Sequence, residues 1–308
     1  MIFYILYRIG LILALSFPLK FCYRMAVILA DIHYLLGRRE RIAVTENLKT
    51  ILDKSVEDDE LKRMAKDVFR NFAKYLVDFF KFSSMTPGYI KSFIKLEGLS
   101  NIEDALKHGK GVIMLSAHLG NWELGAFVLG ILSYPINAVV LTHQNTKIND
   151  FFRNQRAIGK VKSIEFGASL RGCYKALKNN ELLALLGDRD FSNNGLPVTF
   201  CGKSVVMPKG PAALSCRTGA IIVPCFITRN DDDTFTFLFE KPILPQAATG
   251  RMPGGPQVMA DEDNTIKEIM ERYLPVIESY VKRYPGQWYV FRNFWNPRHE
   301  ELHTNTII

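Results

Sequence analysis

Apolar and polar residues follow two periods along this chain, and the switches between the periods mark out its elements. Compact apolar runs at Val112 to Leu115 and Leu182 to Leu186 read as strands buried on both faces. Phe93 to Glu97, Ala138 to Leu141 and Val198 to Phe200 are further strand signals, and Ala220 to Ile227 and Thr234 to Glu240 flank an exposed turn at Asn230 to Asp233. Elsewhere apolar residues recur at three and four. Val56, Leu61, Met64, Ala65, Val68 and Phe69 begin a helix predicted over Ser55 to Phe82, with Ser55 and Asp58 or Asp59 as a loose capping signal. Its aromatic and basic face is either lipid-facing or core packing. A second long helix is predicted over Asn264 to Tyr284, and shorter ones at Ser100 to His108, Leu124 to Leu132, Asn149 to Gly159 and Ala212 to Arg217. Thr86-Pro87-Gly88, Ser192 to Pro197 and Pro245 to Val258 read as breaks, turns or loops. Strands interleaved with helices predict an α/β fold.

The first 36 residues are strongly apolar but punctuated by Arg8, Lys20, Arg24 and Asp31. The longest helix with one charge, Ile2 to Leu19, would be about 27 Å long, marginal for a bilayer span. Three placements stay open: a span or deep anchor, an interfacial amphipathic helix, and a helix packed on the core. No small-residue cleavage site follows, so no removed signal peptide is read, and Lys20, Arg24, Arg38, Arg39 and Arg41 favour a cytoplasmic side for what comes next.

Candidate chemistry sits where the strand Val112 to Leu115 ends. Ser116-Ala117 leads to His118; after Leu119-Gly120, Asn121 is placed to cap a helix whose first turn holds Glu123. On one continuous helix these five steps would set His118 and Glu123 about 140° apart. A strand-to-helix turn instead lets the chain double back, so Glu123 can reach one ring nitrogen and leave the other to take a proton. That is a general base held by a carboxylate. No nucleophile elbow lies nearby, so the acceptor's own hydroxyl is expected to attack directly. The bland alternative is a capping Glu beside a surface His. Leu182 to Leu186 similarly delivers Gly187-Asp188-Arg189-Asp190 to a strand end, where ligands gather in α/β sheets, although a surface turn explains it too. His143 ends another strand; Arg153 and Arg156, one turn apart, offer anion-binding forks or plain surface charges. Backbone N–H groups at the helix start that follows Gly210-Pro211 are candidates for an oxyanion.

The stretch AHLGNWELG at Ala117 to Gly125 resembles the active-site block of the lysophospholipid acyltransferase superfamily, in the form that marks the bacterial lipid A late acyltransferases (lauroyl and myristoyl transferases). RIAVTENL at Arg41 to Leu48, the stretch Gly187 to Phe226, and YPGQWYVFRNFW at Tyr284 to Trp295 are similar to the same family. The glycerolipid branch has Asp at the end of the motif and a Phe-Pro-Glu-Gly block; this chain has neither. The resemblance implies one glycerolipid-acyltransferase-like domain over residues 41–296, with a central mixed, mostly parallel sheet flanked by helices. A membrane-anchoring segment over residues 1–40 would precede it and a tail over 297–308 would follow. It implies fatty acyl transfer from an acyl carrier protein or CoA thioester to a lipid A precursor hydroxyl, as part of lipopolysaccharide biosynthesis at the cytoplasmic face of the inner membrane. His118 would be the base and Glu123 its orienter. Asn121 and Arg156 would position substrate with Asp188 and Arg189, Asp188 as partner for Arg156 or a substrate hydroxyl. The same chemistry on another glycolipid, aminolipid or polyene lipid is the near rival, and a non-catalytic membrane-binding homologue the distant one.

Composition adds three constraints. The charge of +8, from 39 basic and 31 acidic residues, suits anionic headgroups and an acidic carrier protein, whereas no nucleic-acid module or basic-aromatic repeat is present. Five cysteines without a CxxC pair suggest neither zinc nor a disulfide framework. His299-Glu300-Glu301-Leu302-His303 mimics a zinc-protease motif but sits in a terminal tail behind Pro297; no metal and no resident cofactor are expected.

Overall fold

The computed structural model describes residues 2–52, 56–166, 169–191, 194–245 and 256–296. The tail 297–308 with its zinc-like pattern, Ser55, and positions 192–193 and 246–255 of the expected turn and loop lie outside the described residues.

Four helices open the chain: α1 (Ile2–Ser16), α2 (Leu19–Leu36), α3 (Arg38–Ile51) and α4 (Asp58–Phe80). Pro18, lacking an N–H and fixed in φ, divides the apolar N-terminal stretch into two short helices where one anchor helix was expected. No helix among the described residues is long and apolar enough to cross a membrane. Instead α1 and α2 turn one face inward: Tyr7, Ala14, Cys22, Tyr23, Ala26 and Ala30 are buried. Gly10 permits the close approach, since a Cβ there would stand 2.8 Å from the Phe80 ring on α4. The outer face is exposed and apolar, with Ile5, Ile9 and Ile12 on α1 and Phe21, Ile28 and Ile32 on α2.

The α/β body follows as α5 (Pro87–Phe93), β1 (Ile94–Glu97), α6 (Ser100–Leu106), β2 (Val112–Ser116), α7 (Trp122–Ile131), β3 (Ile136–Val140), α8 (Thr146–Ile158), β4 (Lys162–Glu165), α9 (Ser169–Lys178) and β5 (Leu182–Leu186). After the two-stranded ribbon β6 (Leu196–Phe200) and β7 (Lys203–Met207) come α10 (Gly210–Thr218), β8 (Ile221–Arg229), β9 (Phe235–Phe239) and α11 (Pro256–Arg283). Thr86-Pro87-Gly88 starts a helix rather than breaking the chain: the Tyr89 N–H donates to Thr86 Oγ1 at 3.2 Å, and Pro87 sits where its missing N–H costs nothing.

The main sheet has seven strands in the order β1-β9-β8-β2-β5-β3-β4, all parallel except the hairpin pair β8–β9. Alternate residues of β2 feed two cores. Val112 and Met114 pack with α7, while Ile113 and Leu115 join the core on the other face, which holds the inner residues of α11. Both faces are therefore covered, as a parallel sheet requires.

Candidate active site

The sheet register makes the central pair. In neighbouring parallel strands β2 and β5, Ser116 lies opposite Leu186. His118 and Asp188 each follow two residues later, so they leave the sheet at the same level and meet. Asp188 Oδ1 is 2.8 Å from His118 Nδ1, Asp188 Oδ2 accepts the His118 backbone N–H at 2.9 Å, and the Trp288 indole N–H donates to Oδ2 at 2.9 Å. One carboxylate thus holds both the ring and the backbone of the histidine. With Nδ1 engaged, Nε2 is the nitrogen left to exchange a proton. Burial raises the Asp188 carboxyl, but the His118 charge and these hydrogen bonds outweigh it and leave the group below its ordinary 3.8.

Glu123 makes no hydrogen bond to His118, which corrects the pairing expected from the motif. Its carboxylate is taken by Arg156: Nε donates to Oε1 and Oε2 at 3.0 and 2.9 Å, and Nη2 to Oε1 at 2.6 Å. The physical reason is direction. Glu123 lies in the first turn of α7 and faces α8, which carries Arg156, whereas the His118 ring is turned toward β5. Arg156 Nη1 has no hydrogen-bond partner among the described residues. Burial disfavours the Arg156 cation, but Glu123 more than compensates and its pKa is raised. Of the two partners expected for Asp188, Arg156 or a substrate hydroxyl, Arg156 is not met: two separate pairs form instead, His118–Asp188 and Glu123–Arg156, and Asp188 is buried behind the cavity wall.

Asn121 caps α7 as expected, its Oδ1 accepting the Leu124 N–H at 3.0 Å. Its Nδ2 donates into the interior, to Asp78 Oδ2 at 2.8 Å, and the residue is 1% exposed. Both ends of the amide are committed to protein, and Asn121 is absent from the cavity wall. The turn also demands Gly120, whose φ is +65° and whose Cβ would stand 1.9 Å from the Ile227 carbonyl oxygen. A short C-terminal strap closes over it, the Gly120 N–H donating to the Gln287 carbonyl at 2.9 Å and the Tyr289 N–H to the His118 carbonyl at 2.8 Å.

His118, Glu123, Arg156 and Arg189 line one cavity of about 840 Å³. Its wall beside the histidine is Trp122, packed edge-on at 5.3 Å and tilted against Tyr75. From there an apolar lobe runs between α7 and the sheet, past Met114, Ala184 and Ala138 to Leu129 and Ile136. Arg189 stacks on Phe191 at 4.4 Å; burial and the neighbouring Arg292 cation pull its pKa down to about 10 against the opposing pull of Asp188. His143 and the Gly210-Pro211 helix start also reach the cavity. Arg153 instead pairs with Asp150 on the exposed side of α8, so of the two α8 arginines Arg156 is the one at the site. Among the described residues no cluster has metal-ligand character.

Three participants were not found from sequence: Trp288, Asp78 and Arg229. Trp288 lies in the aromatic stretch Gln287 to Trp295, where nothing local marks one ring as a hydrogen-bond donor to a buried carboxylate. A lone charge inside the apolar run Tyr75 to Phe80 was the available signal for Asp78.

A family model described as bacterial lipid A biosynthesis acyltransferase matches residues 1–296. The chain is 26% identical to a lipid A biosynthesis palmitoleoyltransferase of Escherichia coli (strain K12) over 262 residues, 84% of this chain and 79% of that one. It is 24% identical over 224 residues, 72% of each chain, to a lipid A biosynthesis lauroyltransferase of the same strain. A phosphatidylinositol mannoside acyltransferase of Mycolicibacterium smegmatis is 24% identical over 184 residues, 58% of this chain and 60% of that one.

Proposed function

The chain belongs to the bacterial lipid A biosynthesis acyltransferase family and is an acyltransferase, and from that premise we propose that it moves a fatty acyl chain from an acyl carrier protein thioester to a hydroxyl of a lipid A precursor. The observation that carries this reading is the His118–Asp188 pair at the mouth of a deep apolar lobe. His118 Nε2 takes the proton of the acceptor hydroxyl while Asp188 fixes the tautomer and supports the imidazolium. The oxygen attacks the thioester carbonyl, the C–S bond breaks, and the thiolate takes the proton back from His118. Thiolate is a good leaving group, so no second acid is required and no acyl-enzyme forms. Glu123 holds Arg156 so that Nη1 presents its N–H groups to the carbonyl oxygen or to an anionic group of either substrate. CoA is the alternative donor, and the likeness to the mannoside enzyme supports a second reading in which the acceptor is another anionic glycolipid.

The site works at the cytoplasmic face of the inner membrane. What supports this is the outer face of α1 and α2, where exposed apolar residues recur at helical spacing. The exposed charges there, Arg8, Lys20 and Arg24, are all basic, and the single acid, Asp31, is paired with Arg70 and Lys66. Their inner faces are packed on the body, so the pair lies along one leaflet rather than through the bilayer.

The test is acyl transfer by detergent-solubilised protein from lauroyl, myristoyl or palmitoleoyl carrier-protein thioesters to a lipid A precursor, with products weighed. A mass gain of one acyl group is expected, abolished by His118→Ala and reduced on the order of 10,000-fold by Asp188→Asn. Full activity in His118→Ala, or an acyl-enzyme trapped during normal turnover, would overturn the mechanism. Thioester loss that requires His118 without a gain on the precursor would move the acceptor to another lipid.

A further inference from the structure

The mechanism above leaves unused a charged network that lies directly beneath the catalytic turn. Asp78, in the last turn of α4, is fully buried, and its two oxygens take three donors: the Tyr23 hydroxyl, Arg229 Nη2 and Asn121 Nδ2. Arg229, at the end of β8, is held between the Tyr23 and Phe235 rings at 4.9 and 4.6 Å and also donates to the Tyr23 hydroxyl at 2.9 Å. Its backbone N–H and carbonyl are both bonded to the Gln287 side chain, at 2.9 and 2.8 Å.

We propose that Asp78 is a positioning residue for acyl transfer: through Asn121 it fixes where α7 begins, and with it the span of chain between His118 and Glu123. The inference rests on the reading of His118 as the base. A primary amide can present either end, and which end caps α7 depends on what the other end meets. Asp78, whose two oxygens also take the Tyr23 and Arg229 donors, meets the Nδ2 end, so Oδ1 is the end that receives the Leu124 N–H. The same turn is fixed through its backbone, the Asn121 N–H donating to the Ile227 carbonyl at 2.9 Å and the Gly120 N–H to Gln287. Asp78 and Arg229 therefore hold the turn from beneath and from the strap side together.

Stability alone gives a weak reason for such a network. A buried ion pair seldom stabilises a core more than apolar residues of the same volume would. An apolar residue at position 78, however, could not direct the Asn121 amide. The network also reaches outward: Tyr23 belongs to α2, whose opposite face carries Phe21, Met25 and Ile28 exposed. The helix we place on the leaflet and the catalytic turn share one carboxylate.

The experiment compares Asn121→Ser, Tyr23→Phe and Asp78→Asn in detergent by kcat, by KM for the acyl donor, and by thermal unfolding. Ser keeps a hydroxyl to cap Leu124 but cannot span to Asp78. Positioning predicts folded proteins whose kcat falls on the order of 10- to 100-fold in Asn121→Ser and Asp78→Asn, less in Tyr23→Phe, with KM unchanged. A lowered unfolding midpoint with wild-type kcat in the folded fraction would reduce the network to a structural role and overturn the proposal. Should Asp78→Asn fail to fold, Asn121→Ser and Tyr23→Phe carry the comparison. If no lipid acceptor is acylated, the same variants are read on His118-dependent thioester loss. Thioester loss indifferent to His118 would defeat the base assignment itself, a result separable from any effect of Asp78.

Discussion

Replacing Ala184 by Leu should shorten the acyl chain that the enzyme prefers. Strand register sets Met114, Ala184 and Ala138 side by side across β2, β5 and β3, all facing the apolar lobe under α7. The row toward the mouth holds Ser116 and Leu186; the row beneath, Val112, Leu182 and Ile136, is buried, and Ile136 of that row forms the floor. Rows two residues apart are separated by about 7 Å, so the floor lies about 13 Å below the mouth and two alanines keep the middle open. Leu adds three carbons to that middle row and excludes a comparable length of chain. At about 0.8 kcal/mol per buried methylene this removes roughly 2.4 kcal/mol from the longest accepted chain. That is about 60-fold in kcat/KM, while chains ending above the row keep their rate. The assay is a competition among carrier-protein thioesters of graded length for one acceptor, read as the mass distribution of products. A uniform loss at every length, with the distribution unchanged, would refute the placement of the chain in this lobe.

Two further outcomes follow from the catalytic turn. Gly120→Ala must abolish acyl transfer and lower the unfolding free energy by more than the ~1–2 kcal/mol that a left-handed residue alone costs. The added Cβ strikes the Ile227 carbonyl that also accepts the Asn121 N–H, so neither can withdraw cheaply. For Asp188 the sign follows from its depressed folded-state pKa: its stabilisation is complete above the ordinary value of 3.8 and is lost as pH falls through the lower folded value. Urea midpoints of wild type and Asp188→Asn should therefore differ steadily above about pH 5 and converge below the ordinary carboxylate value; a gap that widens on acidification would contradict the pairing.

How much was legible in the sequence depended on whether the signal was local. Leu182 to Leu186 was bounded correctly because a short apolar run between polar ends has one reading, and His118 was found because small residues after a buried strand mark an exit. Asp188 was found for the same reason. That the two pair with each other was not, because the adjacency of β2 and β5 brings together residues 70 apart in the chain; spacing favoured the nearer Glu123 as the histidine's partner. The strand β4 and helix α9 went unread, since Lys162–Glu165 is a polar edge strand with little alternation of apolar residues. Pro18 was visible but was weighed as part of one apolar stretch rather than as a helix break.

The strap from Gln287 to Tyr289 has a consequence for the order in which the molecule assembles. Trp288 bonds Asp188 from 100 positions away in the chain, and the Tyr289 N–H reaches back to the His118 carbonyl. Contacts so distant in sequence carry a large loop-closure cost and form late. Refolding should therefore regain helical signal before it regains acyl transfer.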